Sequence, residues 1–212
     1  MMEILYLDNR IAVCVKPSGV LSTDEPGGMP ELLRTQLGDA QACVRTVHRL
    51  DQTVGGLMVM ARSVKAASLL SQQIREGSFQ KEYMAVVQGV PEQEQGLMQD
   101  LLRRSKQERK TYVVAEPGSD VQPAELEYRV LASEDGKSLV RIRLHTGRTH
   151  QIRCQFASRG LPLLGDRKYG TAQDYPIALW SCLLEFNHPQ TGERVQFFRQ
   201  PPDTEPWNRF EL

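Results

Sequence analysis

The sequence is poor in several things at once, and each shortage narrows its class. It has four cysteines, Cys14, Cys43, Cys154 and Cys182, far apart and with no Cys-x-x-Cys pair. That excludes a disulfide framework and a zinc ribbon, and reads as reduced thiols of a cytosolic protein. Net charge is absent, since 26 Lys and Arg balance 26 Asp and Glu. No apolar run approaches the ~18 residues of a membrane span. The opening Met1-Met2-Glu3-Ile4-Leu5-Tyr6 lacks the basic and apolar regions of a signal peptide. Also missing are a Gly-Lys-Ser/Thr phosphate loop and a Gly-x-Ser-x-Gly serine elbow. His145 and His150 are five apart across a turn, with no Cys or carboxylate at ligand spacing, so no metal site is expected.

What is present is ordinary globular material: 40% hydrophobic and 25% charged residues. A chain of 212 residues can form one domain or two small ones and fill a core without staples. No linker divides it, so a single domain over 1–212 is expected. The charges are segregated. From Arg141 to Lys168, seven basic residues (Arg141, Arg143, Arg148, Arg153, Arg159, Arg167, Lys168) face Asp166 alone. Five more between Arg103 and Lys110 face Glu108, whereas six carboxylates between Glu116 and Asp135 face Arg129. A neutral chain patterned in this way either presents a positive face to a polyanion or carries ordinary solvated faces.

Short strands dominate the pattern. Ile4–Leu7 and Ile11–Val15 flank a turn, and Lys16-Pro17-Ser18-Gly19 ends the second. Ser22 to Gly28 is a loop by composition, and Gly56–Ala61 an apolar run suited to a buried strand. Ser63 caps a helix with Val64, Ala67, Leu70 and Ile74 at helical spacing, closed by Gly77. Lys81-Glu82-Tyr83 opens another buried strand. Val140, Ile142 and Leu144 alternate with Arg141 and Arg143, a half-buried strand with a basic outer face. Thr149 to Arg159 reads as a helix, and Leu179–Phe186 with Arg194–Phe198 as a hairpin. The fold class expected is α+β, with a mainly antiparallel sheet flanked by helices and loops.

Three stretches could carry chemistry. In His48-Arg49-Leu50-Asp51-Gln52-Thr53-Val54-Gly55-Gly56-Leu57, a carboxylate sits in a polar loop feeding a buried strand; it is either a structural ion pair or a positioned nucleophile or base. Tyr83, at a strand start, is either packing or part of a site. In Leu144 to Arg153 a Thr-Gly-Arg turn enters a helix, which offers backbone N–H groups and a guanidinium to an anion.

Together and in this order, these residues resemble the RluA family of pseudouridine synthases. The family signature is His-Arg-Leu-Asp, two variable residues, then Thr-Ser-Gly and an apolar strand, matched here by His48 to Leu57. Lys81 and Tyr83, Thr146 to Arg153, Gly165 to Gly170, and the opening strand with Lys16-Pro17-Ser18-Gly19 match four further family segments. The resemblance runs from about Ile4 to Phe198. Val54 and Gly55 depart from the Thr-Ser of the signature, and Gln155 stands where a His is usual.

The resemblance implies a fold with a central active-site cleft and a cofactor-free isomerase that turns a uridine of RNA into pseudouridine. Asp51 would be the essential carboxylate, attacking the glycosidic carbon or removing the ribose 2′ proton. Arg148 would pair with it, favouring its charged form. Tyr83 would receive the flipped base, Arg49 would fill the gap left in the RNA, and Thr149, Arg153 and the basic stretch would meet substrate. His48 is either a further substrate contact or, like His150, a loop tether. The match begins almost at Met1, so the family's N-terminal RNA-binding module is not expected. A monomer acting on ribosomal or transfer RNA, with no membrane, is the resulting expectation. The competing readings are an RNA-binding protein or folding chaperone without turnover, and a nucleoside or glycoside hydrolase, which would want a second carboxylate.

Overall fold

The computed structural model describes residues 2–211. Along the chain run β1 (Ile4–Leu7), β2 (Ile11–Lys16), α1 (Met29–Leu37), β3 (Arg45–Thr46), β4 (Gly55–Ala61), α2 (Val64–Arg75) and β5 (Gln80–Gln88). There follow β6 (Gln95–Ser105), β7 (Lys110–Val114), β8 (Val121–Glu134), β9 (Lys137–Leu144), α3 (Gln151–Ala157), β10 (Leu179–Asn187) and β11 (Arg194–Phe198). The class is α+β with strands in the majority, as the pattern of short apolar runs predicts. The chain divides into two compact units, Met1–Lys81 with Trp180–Pro201, and Glu82–Leu179 with Pro202–Leu212.

In the first unit, β2 pairs antiparallel with β1 and β4, β3 pairs antiparallel with β4, and β11 with β10. β10 runs parallel to β4, with Trp180 opposite Gly55 and Ser181 opposite Gly56. Every residue of β4 is buried, which explains why it reads as an unbroken apolar run rather than an alternation. The Ser63 hydroxyl accepts the Ala66 N–H at 3.1 Å and fixes the start of α2. Ala66 and Leu70 of that helix then pack with Ile11, Leu57, Val59, Phe79 and Phe186 in one core. The Phe79 and Phe186 rings stack there with centroids 5.1 Å apart.

In the second unit the sheet order is β9, β8, β6, β7, all antiparallel, and β5 lies along the other edge of β9. Cys154 of α3 packs on Leu102 of β6 and Ala124 of β8, with Val113 and Tyr169 against them. Cys14, Cys154 and Cys182 are buried and Cys43 is exposed. Burial pushes the Cys14 thiol up to about 12, so it stays protonated. Two regions carry structure that the sequence pattern does not announce. α1 follows directly on the Gly-rich loop, with Pro30 in its first turn and no side-chain cap. The three strands β6 to β8 show mixed burial, because much of their side-chain surface faces solvent. Among the described residues no helix is long and apolar enough to cross a membrane.

Candidate active site

Asp51 lies in the turn between β3 and β4, half-buried, with exposed Arg49 and buried Leu50 just before it. The segment from Lys16 to Ser22 straps this turn from the side. Gly19 N–H donates to the Gln52 carbonyl at 2.8 Å, and Ser18 Oγ donates to the Thr53 carbonyl at 2.7 Å. Ser22 Oγ donates to the Leu50 carbonyl at 2.8 Å and accepts the Leu50 N–H at 3.0 Å. Beneath lies Lys16, none of whose surface is exposed. Its ammonium donates to the carbonyls of Pro17, Val20 and Gln52 at 3.0, 2.6 and 2.9 Å, which uses its three protons. Burial pushes the Lys16 pKa down to about 8 against the opposing pull of the Asp51 charge, so the group remains largely charged at neutral pH.

His48 is buried and takes the Val59 N–H on Nε2 at 3.1 Å. Burial first, and the neighbouring Lys81 charge second, lower its pKa to about 3. It is a neutral tether between the Asp51 loop and β4, and its burial keeps it from the surface an RNA could touch. Of its two expected roles, the structure favours the loop tether.

Tyr83 sits in β5, 6% exposed, with Ile142 opposite it on β9. Arg148 occupies the turn before α3, where its Nε donates to the Pro123 carbonyl at 3.0 Å. Its backbone N–H donates to Gln151 Oε1 at 2.9 Å, and Thr146 Oγ1 donates to the same oxygen at 2.8 Å. The amide expected to be open to an anion is therefore spent on Gln151. Thr149 contributes its carbonyl, which accepts from Thr111 Oγ1 at 2.9 Å.

Arg153 departs most from the sequence reading. Expected to meet phosphate, it is 6% exposed and forms a two-pronged pair with Asp166, both bonds 2.8 Å. Burial opposes the Asp166 charge, but the Arg153 pair and the N–H groups of Lys168 and Tyr169 hold its pKa below the usual value. A guanidinium committed to the interior is removed from the surface where a phosphate could reach it. Arg159 is likewise paired with Asp100 at 2.9 Å and Arg141 with Glu82 at 2.6 Å. The basic stretch is thus less free than its count suggests. Tyr169 ties the region together. Burial pushes its hydroxyl up to about 12, and it accepts the Thr111 N–H at 2.7 Å while lying 3.0 Å from His150 Nδ1.

Residues 10–158 match the family model for RNA pseudouridylate synthase. Over 217 residues the chain is 35% identical to the dual-specificity RNA pseudouridine synthase RluA of Escherichia coli, covering 95% of this chain and 94% of that protein. The chain belongs to the RluA family of RNA pseudouridine synthases. It is an isomerase whose substrate is RNA. An uncharacterized RNA pseudouridine synthase of Bacillus subtilis, YlyB, is 32% identical over 95% of this chain and 70% of its own. The solved structure of human RNA pseudouridylate synthase domain containing 1 superposes with a TM-score of 0.82 at 22% identity, covering 96% of this chain and 85% of that one, and shares the fold.

Within this synthase the departures from the family signature have local causes. A Cβ at Gly55 would lie 2.7 Å from the Trp180 ring, so the indole fills the space that the usual Ser would need. The indole N–H donates to the Arg199 carbonyl at 2.9 Å, which fixes the ring. Gly56, at φ +117, would drive a Cβ to 2.4 Å from the Ser181 carbonyl, so glycine is required there. Gln155 is fully buried and donates to Asp100 at 2.6 Å, fastening α3 to β6. Sequence reasoning placed Lys16 only in a strand-ending turn and gave no role to Ser22 or Trp180. A lysine ending the otherwise apolar run Ile-Ala-Val-Cys-Val was the signal of a buried ammonium.

Proposed function

We propose that this synthase isomerises a uridine of structured ribosomal or transfer RNA, with Asp51 as the carboxylate that acts on the ribose. Arg148 pairs with Asp51, Tyr83 receives the displaced base on its ring, Arg49 fills the gap in the RNA, and Thr149 lines the substrate path. The reading takes 1–212 as one catalytic domain, working as a cytoplasmic monomer without a cofactor. His48, buried, tethers the Asp51 loop to β4, and Arg153, buried, holds Asp166. The observation that carries the reading is the investment around Asp51: a buried ammonium and a strap of hydrogen bonds immobilise its turn, as pre-organised chemistry requires.

Incubating the protein with a uridine-containing transcript and mapping pseudouridine tests it. The wild type is expected to produce pseudouridine, and Asp51→Asn to lose turnover while keeping RNA affinity, because an amide is neither nucleophile nor base. Turnover of the Asn variant within about tenfold of wild type, ~1.4 kcal/mol in barrier, would remove Asp51 from the role. Unmodified RNA bound tightly by the wild type would favour an RNA chaperone, and released free uracil a hydrolase.

A further inference from the structure

We infer that Tyr169 is a positioning residue for the isomerisation: with Thr111 it clamps the turn 148–150 and thereby aims the Arg148 guanidinium. The inference rests on the reading above that Arg148 serves the reaction, and adds what holds that side chain in place. Arg148 and Thr149 lead to His150, which opens α3 and sits in the left-handed region at φ 55. A residue with a Cβ is strained in that region and stays there only where its surroundings hold it. Gln151 holds the inner side of the turn: its Oε1 accepts the Arg148 N–H at 2.9 Å, and its Nε2 donates to the Glu125 carbonyl at 3.0 Å. That clamp grips Arg148 itself, while Thr149 and His150 are held from elsewhere.

Thr111 and Tyr169 hold the outer side. Thr111 of β7 donates from Oγ1 to the Thr149 carbonyl at 2.9 Å. Its N–H donates to the Tyr169 hydroxyl at 2.7 Å, and that hydroxyl lies 3.0 Å from His150 Nδ1. Burial pushes the phenol up to about 12, so it stays protonated: its oxygen takes the Thr111 proton while its own is available to the imidazole. Two consecutive residues of the turn are thus tied to β7, Thr149 directly and His150 through the phenol.

Tyr169 is itself fixed at its backbone and its ring, which gives the buried Arg153–Asp166 pair a role. Asp166 Oδ1 accepts the Lys168 N–H at 2.9 Å and the Tyr169 N–H at 3.3 Å. The Arg153 guanidinium lies 5.3 Å from the centre of the Tyr169 ring and the Lys110 ammonium 4.8 Å, and cations so placed favour one position of the ring. The dependence runs from Asp166 and Arg153 to the ring, from its hydroxyl to His150, and from the turn to Arg148. A shift of the turn would carry the Arg148 Nε away from the Pro123 carbonyl, which it now meets at 3.0 Å. Misplacing a catalytic group by about 1 Å can slow chemistry ~100-fold.

The test begins with Tyr169→Phe, which keeps the ring and its cations and removes only the oxygen. Single-turnover rates at saturating RNA are measured on unmodified ribosomal and transfer RNA transcripts, per mole of folded protein, alongside RNA affinity. The rate should fall at least ~10-fold while affinity stays within about twofold of wild type. Thr111→Val should slow the step and Thr111→Ser should not, because serine keeps the hydroxyl. Should Tyr169→Phe fail to fold, the Thr111 pair reads the same clamp. Tyr128→Phe removes a phenol oxygen bonded to the Gln93 carbonyl and is the control, expected to match wild type. A second readout needs no turnover: the Arg148 Nε–H resonance in proton–nitrogen NMR spectra, assigned by its loss in Arg148→Lys. It should move in Tyr169→Phe and in Thr111→Val, whereas the Arg194 Nε–H, bonded to Glu185 in the first unit, should stay. An unchanged rate, an unmoved Arg148 resonance, an equal shift at Arg194, an equally slow Tyr128→Phe, or Thr111→Ser as slow as Thr111→Val would each overturn the inference. If wild type makes no pseudouridine, the isomerase reading fails, and the resonance still decides whether Tyr169 holds Arg148.

Discussion

Two buried bases, Lys16 and His48, stand on the same side of Asp51 in the sequence and meet burial in opposite ways. Lys16 stays charged because three carbonyls surround its ammonium. His48 gives up its proton and serves as an acceptor for Val59. Its pKa is near 3 in the fold against an ordinary 6.5, so between those values the unfolded chain holds a proton that the folded one does not. Stability therefore drains away as pH falls through that window. In His48→Gln an acceptor for Val59 remains and nothing titrates. Urea midpoints taken from pH 6.5 down to pH 4 should fall less steeply in that variant than in wild type. Parallel slopes would mean that His48 is not held neutral in the fold. The candidate residues could be named from the sequence because the motif carries them. The commitments of their neighbours could not: nothing local to Arg153 announces Asp166, thirteen residues on, as its buried partner.

Elements were legible where burial is one-sided or complete. The capped α2, the unbroken β4 and the β10–β11 hairpin follow from their patterns, whereas β6 to β8 lose theirs to solvent on exposed faces and α1 lacks a capping side chain. The start of β4 shows how one element constrains another. Trp180 of β10 covers Gly55, and their backbones pair in parallel. Restoring the family's serine with Gly55→Ser should overpack this region, costing ~1–3 kcal/mol in urea unfolding and slowing turnover through the displaced Asp51 turn. Adding Trp180→Leu should recover most of both effects. If Gly55→Ser alone is as stable and active as wild type, the indole does not support the turn.

At the scale of the whole molecule, equal numbers of acidic and basic residues and a pI near 6.9 leave little net repulsion between copies at neutral pH. RNA-free protein should therefore be least soluble near pH 7 at low salt, and more soluble toward about pH 5.5 and about pH 8.5. Light scattering across that range reads the effect, and a flat profile would contradict it. The partition of the chain has an optical consequence as well. The sequence holds two tryptophans, and each compact unit contains one, Trp180 in the first and Trp207 in the second. Trp180 is half-buried with its N–H bonded to a carbonyl, and Trp207 is 5% exposed. The two indoles differ in exposure, so they are expected to emit at different wavelengths. Without any attached dye, the intrinsic emission spectrum is then expected to follow unfolding around each ring, its redder component tracking the one that backs the Asp51 turn.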